Sequence, residues 1–246
     1  MKNYKFWFCT GSQDLYGDEC LRKVAEHSAK IVEGLNESGN LPFEVVLKPT
    51  LISQASIRKT FNDANNDPEL LRLREQAKDL CFEFNRLRPS DIQMQEAVLH
   101  RLLGKTGESF RILAPFWCDY GSNIEIGENF FANHNTVILD GAKVTFGSNV
   151  FIAPNCGFYT AGHPIDFERR NPGLEYAYSI TVGDNVWFGA GVQVMPGVTI
   201  GSNVVIGGGS VVVHDIPSDS VAVGNPCKVI RAITEEDRKT NWDRSL

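Results

Sequence analysis

No two of the six cysteines stand in a C-x-x-C pair, and no histidine falls at zinc-site spacing from them. Cys9, Cys20, Cys81, Cys118, Cys156 and Cys227 are scattered, which excludes a spaced thiolate metal site and reads as reduced thiols of a cytoplasmic protein. Glycine loops of the G-x-G-x-x-G or P-loop kind are missing too, so no nucleotide is expected on such a loop. Positive charge is in deficit, with 24 Lys and Arg against 30 Asp and Glu and a net charge of -6. That balance argues against a general nucleic-acid surface and leaves only small basic patches for a phosphorylated cofactor. No apolar run approaches bilayer length, and the early apolar run Lys5 to Thr10 is broken by Gly11, Gln13 and Asp14, so neither a membrane span nor a signal peptide is expected.

What the 246 residues do contain is a beat of six. From Thr181 to Val213 an aliphatic or aromatic side chain returns at Val182, Phe188, Val194, Ile200, Ile206 and Val212, with a second file at Val186, Val192, Val198 and Val204. Six fits neither the 3.6 of a helix nor a hairpin, so each short flat run presents its inward residues and then turns a corner. Three runs make a coil of about 18 residues, and stacked coils make a parallel β-solenoid. The beat recurs upstream at Ile126, Ala132 and Ile138, and again at Phe146, Ile152 and Phe158, with one slip of register between the sets. It then stops from Tyr159 to Ile180, a stretch that contains Gly162-His163-Pro164-Ile165. A long excursion from so regular a core is a candidate functional loop.

Ahead of the solenoid, Lys5 to Thr10 and Phe43 to Leu47 read as strands around a helix from Glu19 to Leu35, one βαβ unit of residues 1–52. Asp67-Pro68-Glu69 opens a helix with proline and acid in its first turn, and a second follows Ser90-Asp91, with Ser90 as the expected cap, to about Leu103. Residues 57–110 thus form a helical cap over the first coil, 111–231 the solenoid, and 232–246 a charged helical tail.

Two resemblances accompany this reading. Phe6-Trp7-Phe8-Cys9-Thr10-Gly11-Ser12-Gln13-Asp14-Leu15-Tyr16-Gly17 and Leu41-Pro42-Phe43 resemble the start of bacterial L-arabinose isomerases. The resemblance covers residues 4–50 only; it places Gln13 at a sugar-contacting position and supplies none of that family's metal ligands, which implies a fragment without isomerase activity. Residues 57–231 resemble the maltose and galactoside O-acetyltransferases, hexapeptide-repeat acyltransferases. The motifs are Asn65-Asn66-Asp67-Pro68-Glu69-Leu70, Phe82-Glu83-Phe84-Asn85, Cys118-Asp119-Tyr120-Gly121-Ser122-Asn123-Ile124, Asn129-Phe130-Phe131-Ala132-Asn133 and Gly162-His163-Pro164-Ile165. Ile180-Thr181-Val182-Gly183-Asp184-Asn185-Val186-Trp187 and Gly224-Asn225-Pro226-Cys227 continue the match.

That second resemblance implies a mainly β protein, a left-handed parallel β-helix with the helical cap and the appended βαβ segment, assembled as a homotrimer. It also implies acetyl-CoA as cosubstrate, no metal, and a sugar or other hydroxylated acceptor. An alcohol attacks a thioester poorly unless a base takes its proton, and imidazole titrates in the useful range, so His163 is the expected general base. The family pattern further implies acceptor contacts at Asp63, Asp119, Asn133 and Glu175, with Asn133 also touching the catalytic loop. For the cosubstrate it implies Trp187 beside the site, the Ala190 amide as oxyanion donor, Gly208 near the pantetheine, and Lys228 and Arg231 near phosphates. Val213 and His214 replace a Thr-Lys pair common in the family, which puts a phosphate contact there in doubt. The competing expectations are a non-catalytic β-helix scaffold and a related acyltransferase with a non-sugar acceptor. A carbonic-anhydrase-type hydratase would need three convergent histidines. His134, His163 and His214 lack the paired spacing for it.

Overall fold

The computed structural model describes residues 5–10, 17–38, 41, 44–48, 50 and 67–239. Gln13, Asp63 and the tail beyond residue 239 lie outside the described residues. The chain divides into two compact units, Met1–Asp67 with Ile165–Leu174, and Pro68–Pro164 with Glu175–Leu246.

In the first unit, strands β1 (Lys5–Phe8) and β2 (Glu44–Leu47) pair in parallel around helix α1 (Gly17–Glu37). Asp18 and Glu19 sit in the first turn of α1, where the helix dipole favours negative charge. Ser28, Val32 and Val45 are buried among its described residues, and the Asn36 amide clamps β2 by donating to the Val45 carbonyl and accepting from its N–H, both at 2.8 Å.

The second unit opens with helices α2 (Pro68–Arg86) and α3 (Ile92–Leu102). Pro68 begins α2 where a missing N–H costs nothing. Ser90 does not cap α3: the Asp91 N–H closes a turn on the Arg88 carbonyl at 3.0 Å, so Ser90 precedes the helix and Asp91 becomes its boundary, with no side-chain cap bond. Five coils follow. They run β3 (Phe110–Ile112), β4 (Phe116–Cys118) and β5 (Ile124–Ile126); β6 (Phe130–Ala132), β7 (Thr136–Leu139) and β8 (Val144–Phe146); then β9 (Phe151–Ile152) and β10 (Gly157–Tyr159). A hairpin of β11 (Ala161–Gly162) and β12 (Tyr176–Ala177), with the one-turn helix α4 (Phe167–Arg170) between them, interrupts the third coil before β13 (Ile180–Val182). The stack continues with β14 (Val186–Phe188), β15 (Gln193–Val194) and β16 (Thr199–Ile200), then β17 (Val204–Ile206) and β18 (Val211–Val212). It ends on β19 (Ser220–Val223), β20 (Lys228–Ala232) and helix α5 (Glu235–Lys239).

Corresponding strands stack in parallel into three faces, of seven, five and four strands, and only β11 with β12 and β19 with β20 pair antiparallel among the described residues. The inward files fill one continuous core that runs from Ala77 to Cys227. Within it Phe130, Phe146, Phe158 and Phe188 form a column with ring centroids 5.0–5.2 Å apart. Burying each such ring contributes about 2–3 kcal/mol.

Corners are fixed by asparagine. Asn129, Asn149, Asn185 and Asn203 all adopt φ between 54° and 57°, a left-handed conformation that asparagine tolerates and most residues do not. Their amides stack, Asn129 donating to Asn149 and Asn149 to Asn185, both at 3.0 Å, while Asn203 donates to Asp219 at 2.7 Å. Coils approach so closely at a neighbouring position that a Cβ on Gly127 would lie 2.6 Å from the Gly147 carbonyl. Helix α2 closes the first coil. Its Ala77, Cys81 and Phe84 enter the core, and the Asn85 amide accepts from the Phe116 N–H at 2.8 Å and donates to its carbonyl at 3.0 Å.

Candidate active site

The six-residue beat fails at one corner only. Paired inward positions Phe116 and Ile124 of the first coil, and Thr136 and Val144 of the second, are separated by eight residues instead of six. In the third coil the same corner holds the whole excursion. The register slip and the long interruption are therefore stacked expansions of a single edge of the solenoid.

Asp140 explains the two added residues. It is fully buried, and its Oδ1 accepts from the N–H groups of Asp119 at 3.0 Å and Tyr120 at 2.9 Å while Oδ2 accepts from that of Asn123 at 3.2 Å. Asn123 Nδ2 returns a bond to the Asp140 carbonyl at 2.7 Å. Burial holds the Asp140 carboxyl above the usual range, and the backbone donors pull it part of the way back. One coil on, buried Thr160 donates from Oγ1 to the Leu139 carbonyl at 2.7 Å and accepts from the Ala142 N–H at 3.0 Å. These two side chains anchor the corner from inside.

From Thr160 the hairpin leaves the coil. The Tyr178 N–H donates to the Thr160 carbonyl at 2.8 Å, and the β11–β12 register sets Ala161 opposite Ala177 and Gly162 opposite Tyr176. A Cβ on Gly162 would come within 2.6 Å of the Tyr176 ring, so only glycine lets that ring lie across the strand. The next rung is His163 and Glu175, with Nε2 and Oε1 3.3 Å apart and side chains 46% and 42% exposed. A carboxylate against an imidazole orients the ring.

Asp119 shares this edge. It is half-buried, and its carboxyl is raised above the usual range first by burial and then by Asp140, while Arg74 and Lys78 on α2 oppose the shift and Glu175 adds to it. Beside it runs a groove of about 630 Å³ whose walls include Lys78 and Phe82 from α2 and Trp117, Asp119 and Leu139 from the coils. Exposed aromatics next to carboxylates and an ammonium suit a polyhydroxylated ligand, which has both C–H faces and hydroxyls to satisfy. A larger cavity of about 800 Å³ under α5 is lined by Asn185, Asn203, Asp219 and the α5 side chains, and holds no histidine or nucleophile.

Other expected residues fall elsewhere. The Asn133 amide oxygen accepts from the His134 N–H at 2.8 Å, which makes it a brace for its own corner. Trp187 is 54% exposed in an outward file that pairs Phe131 with Phe151, Phe151 with Trp187 and Trp187 with Val205. Ala190 and Gly208 occupy neighbouring exposed corners, linked by the Gly209 N–H donating to the Ala190 carbonyl at 2.8 Å. Val213, His214 and Lys228 are exposed. Arg231 is bound by both nitrogens to the Asp237 carboxylate at 2.8 Å, so a phosphate would have to displace that partner. Sequence reasoning missed Asp140 and Thr160. The available signal was phase: Asp140 follows inward Ile138 by two, on the buried side of the strand, where a carboxylate needs a purpose.

Known proteins share these features. The chain matches the L-arabinose isomerase N-terminal domain over residues 1–73, the maltose acetyltransferase hexapeptide capping motif over 61–107, and six repeats of the bacterial transferase hexapeptide over 179–214. It is 61% identical to the candidate acetyltransferase YJL218W of Saccharomyces cerevisiae over 178 residues, 72% of this chain and 91% of that one. A galactoside acetyltransferase solved with coenzyme A superposes with a TM-score of 0.70 at 44% identity, covering 72% of this chain and 88% of the other. A maltose O-acetyltransferase from Clostridium difficile gives 0.68 at 49% identity, covering 69% and 91%. With the capping motif, the repeats and relatives matched over most of their length, the chain belongs to the maltose and galactoside O-acetyltransferase family of hexapeptide-repeat acetyltransferases.

Proposed function

We propose that this acetyltransferase moves the acetyl group of acetyl-CoA to a hydroxyl of a sugar, with His163 as general base. The observation that carries the reading is the His163–Glu175 pair at 3.3 Å, on the same edge that holds Asp119. His163 takes the hydroxyl proton as the oxygen attacks, and Glu175 orients the ring. Asp119, half-buried in the groove, accepts from another hydroxyl and so fixes which oxygen faces the histidine. The galactoside and maltose acetyltransferases among the relatives make a sugar the first choice of acceptor.

The residues present fit a coenzyme A. Gly208 and Gly209 leave the exposed corner beside Ala190 without side chains, with nothing within 4 Å of a Cβ on Gly209, and the Ala190 N–H is the donor assigned to the developing oxyanion. Trp187 and Phe151 offer an apolar wall, and Lys228 an exposed cation for phosphate. When bound, the thioester supplies the activated acetyl group. The exposed Phe151 and Trp187 also support burial between copies in a homotrimer. No described helix is long and apolar enough to cross a membrane. Six free thiols fit a cytoplasmic setting.

Release of the CoA thiol, measured over a panel of mono- and disaccharides against acetyl-CoA alone, tests the reading. His163→Ala is expected to lower turnover about 10²–10⁴-fold without changing the circular dichroism spectrum. Retained activity would move the base elsewhere. No release above the blank with any acceptor would favour a scaffold.

A further inference from the structure

One pair of reactive groups, set against the groove, has no role in the chemistry above. Cys81 on α2 and Cys118 at the end of β4 lie 37 positions apart in sequence, yet their sulfurs approach to 3.7 Å. Cys81 is fully buried and Cys118 is 6% exposed, and Cys118 forms part of the groove wall beside Asp119. The other four cysteines make no such pair among the described contacts: Cys156 donates to the Gly189 carbonyl at 3.3 Å, Cys227 is buried apart, and Cys9 and Cys20 belong to the first unit.

We propose that Cys81 and Cys118 are a site of reversible oxidation, whose disulfide fastens the capping helix α2 to the first coil along the groove. The sulfurs need to close from 3.7 Å to about 2.05 Å, a movement within reach of side-chain rotation and a small helix shift. The oxidant is a peroxide, small enough to enter through the groove. One thiolate attacks a peroxide oxygen, the O–O bond breaks, and water leaves behind a sulfenic acid. Cys118, held as a thiol by the Cys81 bond and by burial, gives up its proton as it attacks that sulfur, which expels a second water and forms the S–S bond. Two thiols are oxidised by two electrons while one hydrogen peroxide becomes two waters. The contact between the sulfurs also favours the thiolate on Cys81, whose acidity is raised by the Cys118 bond, and burial opposes it less than that bond helps.

The cross-link ties a wall of the groove to its floor. It therefore changes access for an acceptor, a consequence that rests on the proposed function, whereas the cross-link itself does not. The full chain is treated with hydrogen peroxide, its remaining thiols are alkylated after denaturation, and the peptides are mapped by mass. The expected result is a Cys81–Cys118 linked peptide, a fall from six free thiols to four, reversal by dithiothreitol, and a melting temperature raised by about 5–10 °C in the oxidised form. Cys81→Ser and Cys118→Ser should each abolish the linked peptide and the thermal shift. Recovery of both Cys81 and Cys118 as alkylated thiols after the peroxide treatment would overturn the proposal, as would a link that leaves the melting temperature unchanged. Because the wild-type chain gives the decisive reading, poor folding of a variant does not weaken it.

Discussion

Burial raises the carboxyls of both Asp119 and Asp140, but the two neighbours differ in what they hold. Burial raises the Asp119 carboxyl above its unfolded range, so its charged form opposes folding. The favourable contribution is complete below the unfolded value near 4 and is lost as pH rises through the raised folded value. Asp119→Asn should therefore raise the melting temperature at pH 7 by about 2 °C, leave it nearly unchanged at pH 4, and raise KM for the acceptor. Thermal melts at the two pH values check the first part; an equal gain at both would refute the burial argument. Asp140 is different because it serves three backbone donors. Asp140→Ala strands them in the interior at a cost of about 3 kcal/mol, readable by urea unfolding, and loosens the turn that carries Asp119. A loss under 1 kcal/mol would mean water replaces the carboxylate.

At the scale of elements, the repeat was the part of the fold most open to reading. Inward files at six-residue spacing define the strands and corners together, because a solenoid uses the same local rule in every coil. The helices α2 and α3 were legible from Pro68 and the apolar stripes, but the Ser90 boundary was not, since a turn back to Arg88 competes with the cap. Legibility ended where residues far apart in sequence meet. Nothing local sets Glu175 against His163; that pairing depends on the register of a hairpin that brings together residues twelve positions apart. Likewise Arg231 reads as a cation for phosphate, whereas α5 returns Asp237 to it. The Arg231 bonds hold the Asp237 carboxyl down to about 2. A depressed carboxylate contributes its stability above the unfolded value and loses it as pH falls through 2, so the tail should release only in strong acid. Carbon NMR titration of Asp237 should give about 2, and Arg231→Gln should return it towards 4. If Arg231 does meet phosphate, Asp237→Asn lowers KM for acetyl-CoA; an unchanged KM leaves Lys228 as the better assignment.

For the whole molecule, what a single chain leaves uncovered matters most. Phe151 and Trp187, exposed by 49% and 54%, lie side by side on the seven-stranded face. Light scattering should give three times the chain mass of 27.3 kDa, and Trp187→Glu should shift the population towards monomer and remove transferase activity with it. A monomeric, active wild type would refute the assembly.

One feature of the seven-stranded face reaches beyond catalysis. On this face the strands β3, β6, β9, β14, β17 and β19 all run the same way, and only β20 turns back along β19. A lattice of identical rungs has no intrinsic stopping point: whatever surface receives one coil also presents a template for the next, in the same chain or in another. Reversing the final rung writes a terminator into the geometry. The length of this stack is thus an encoded property of β20, separate from the rule that lays down the other rungs.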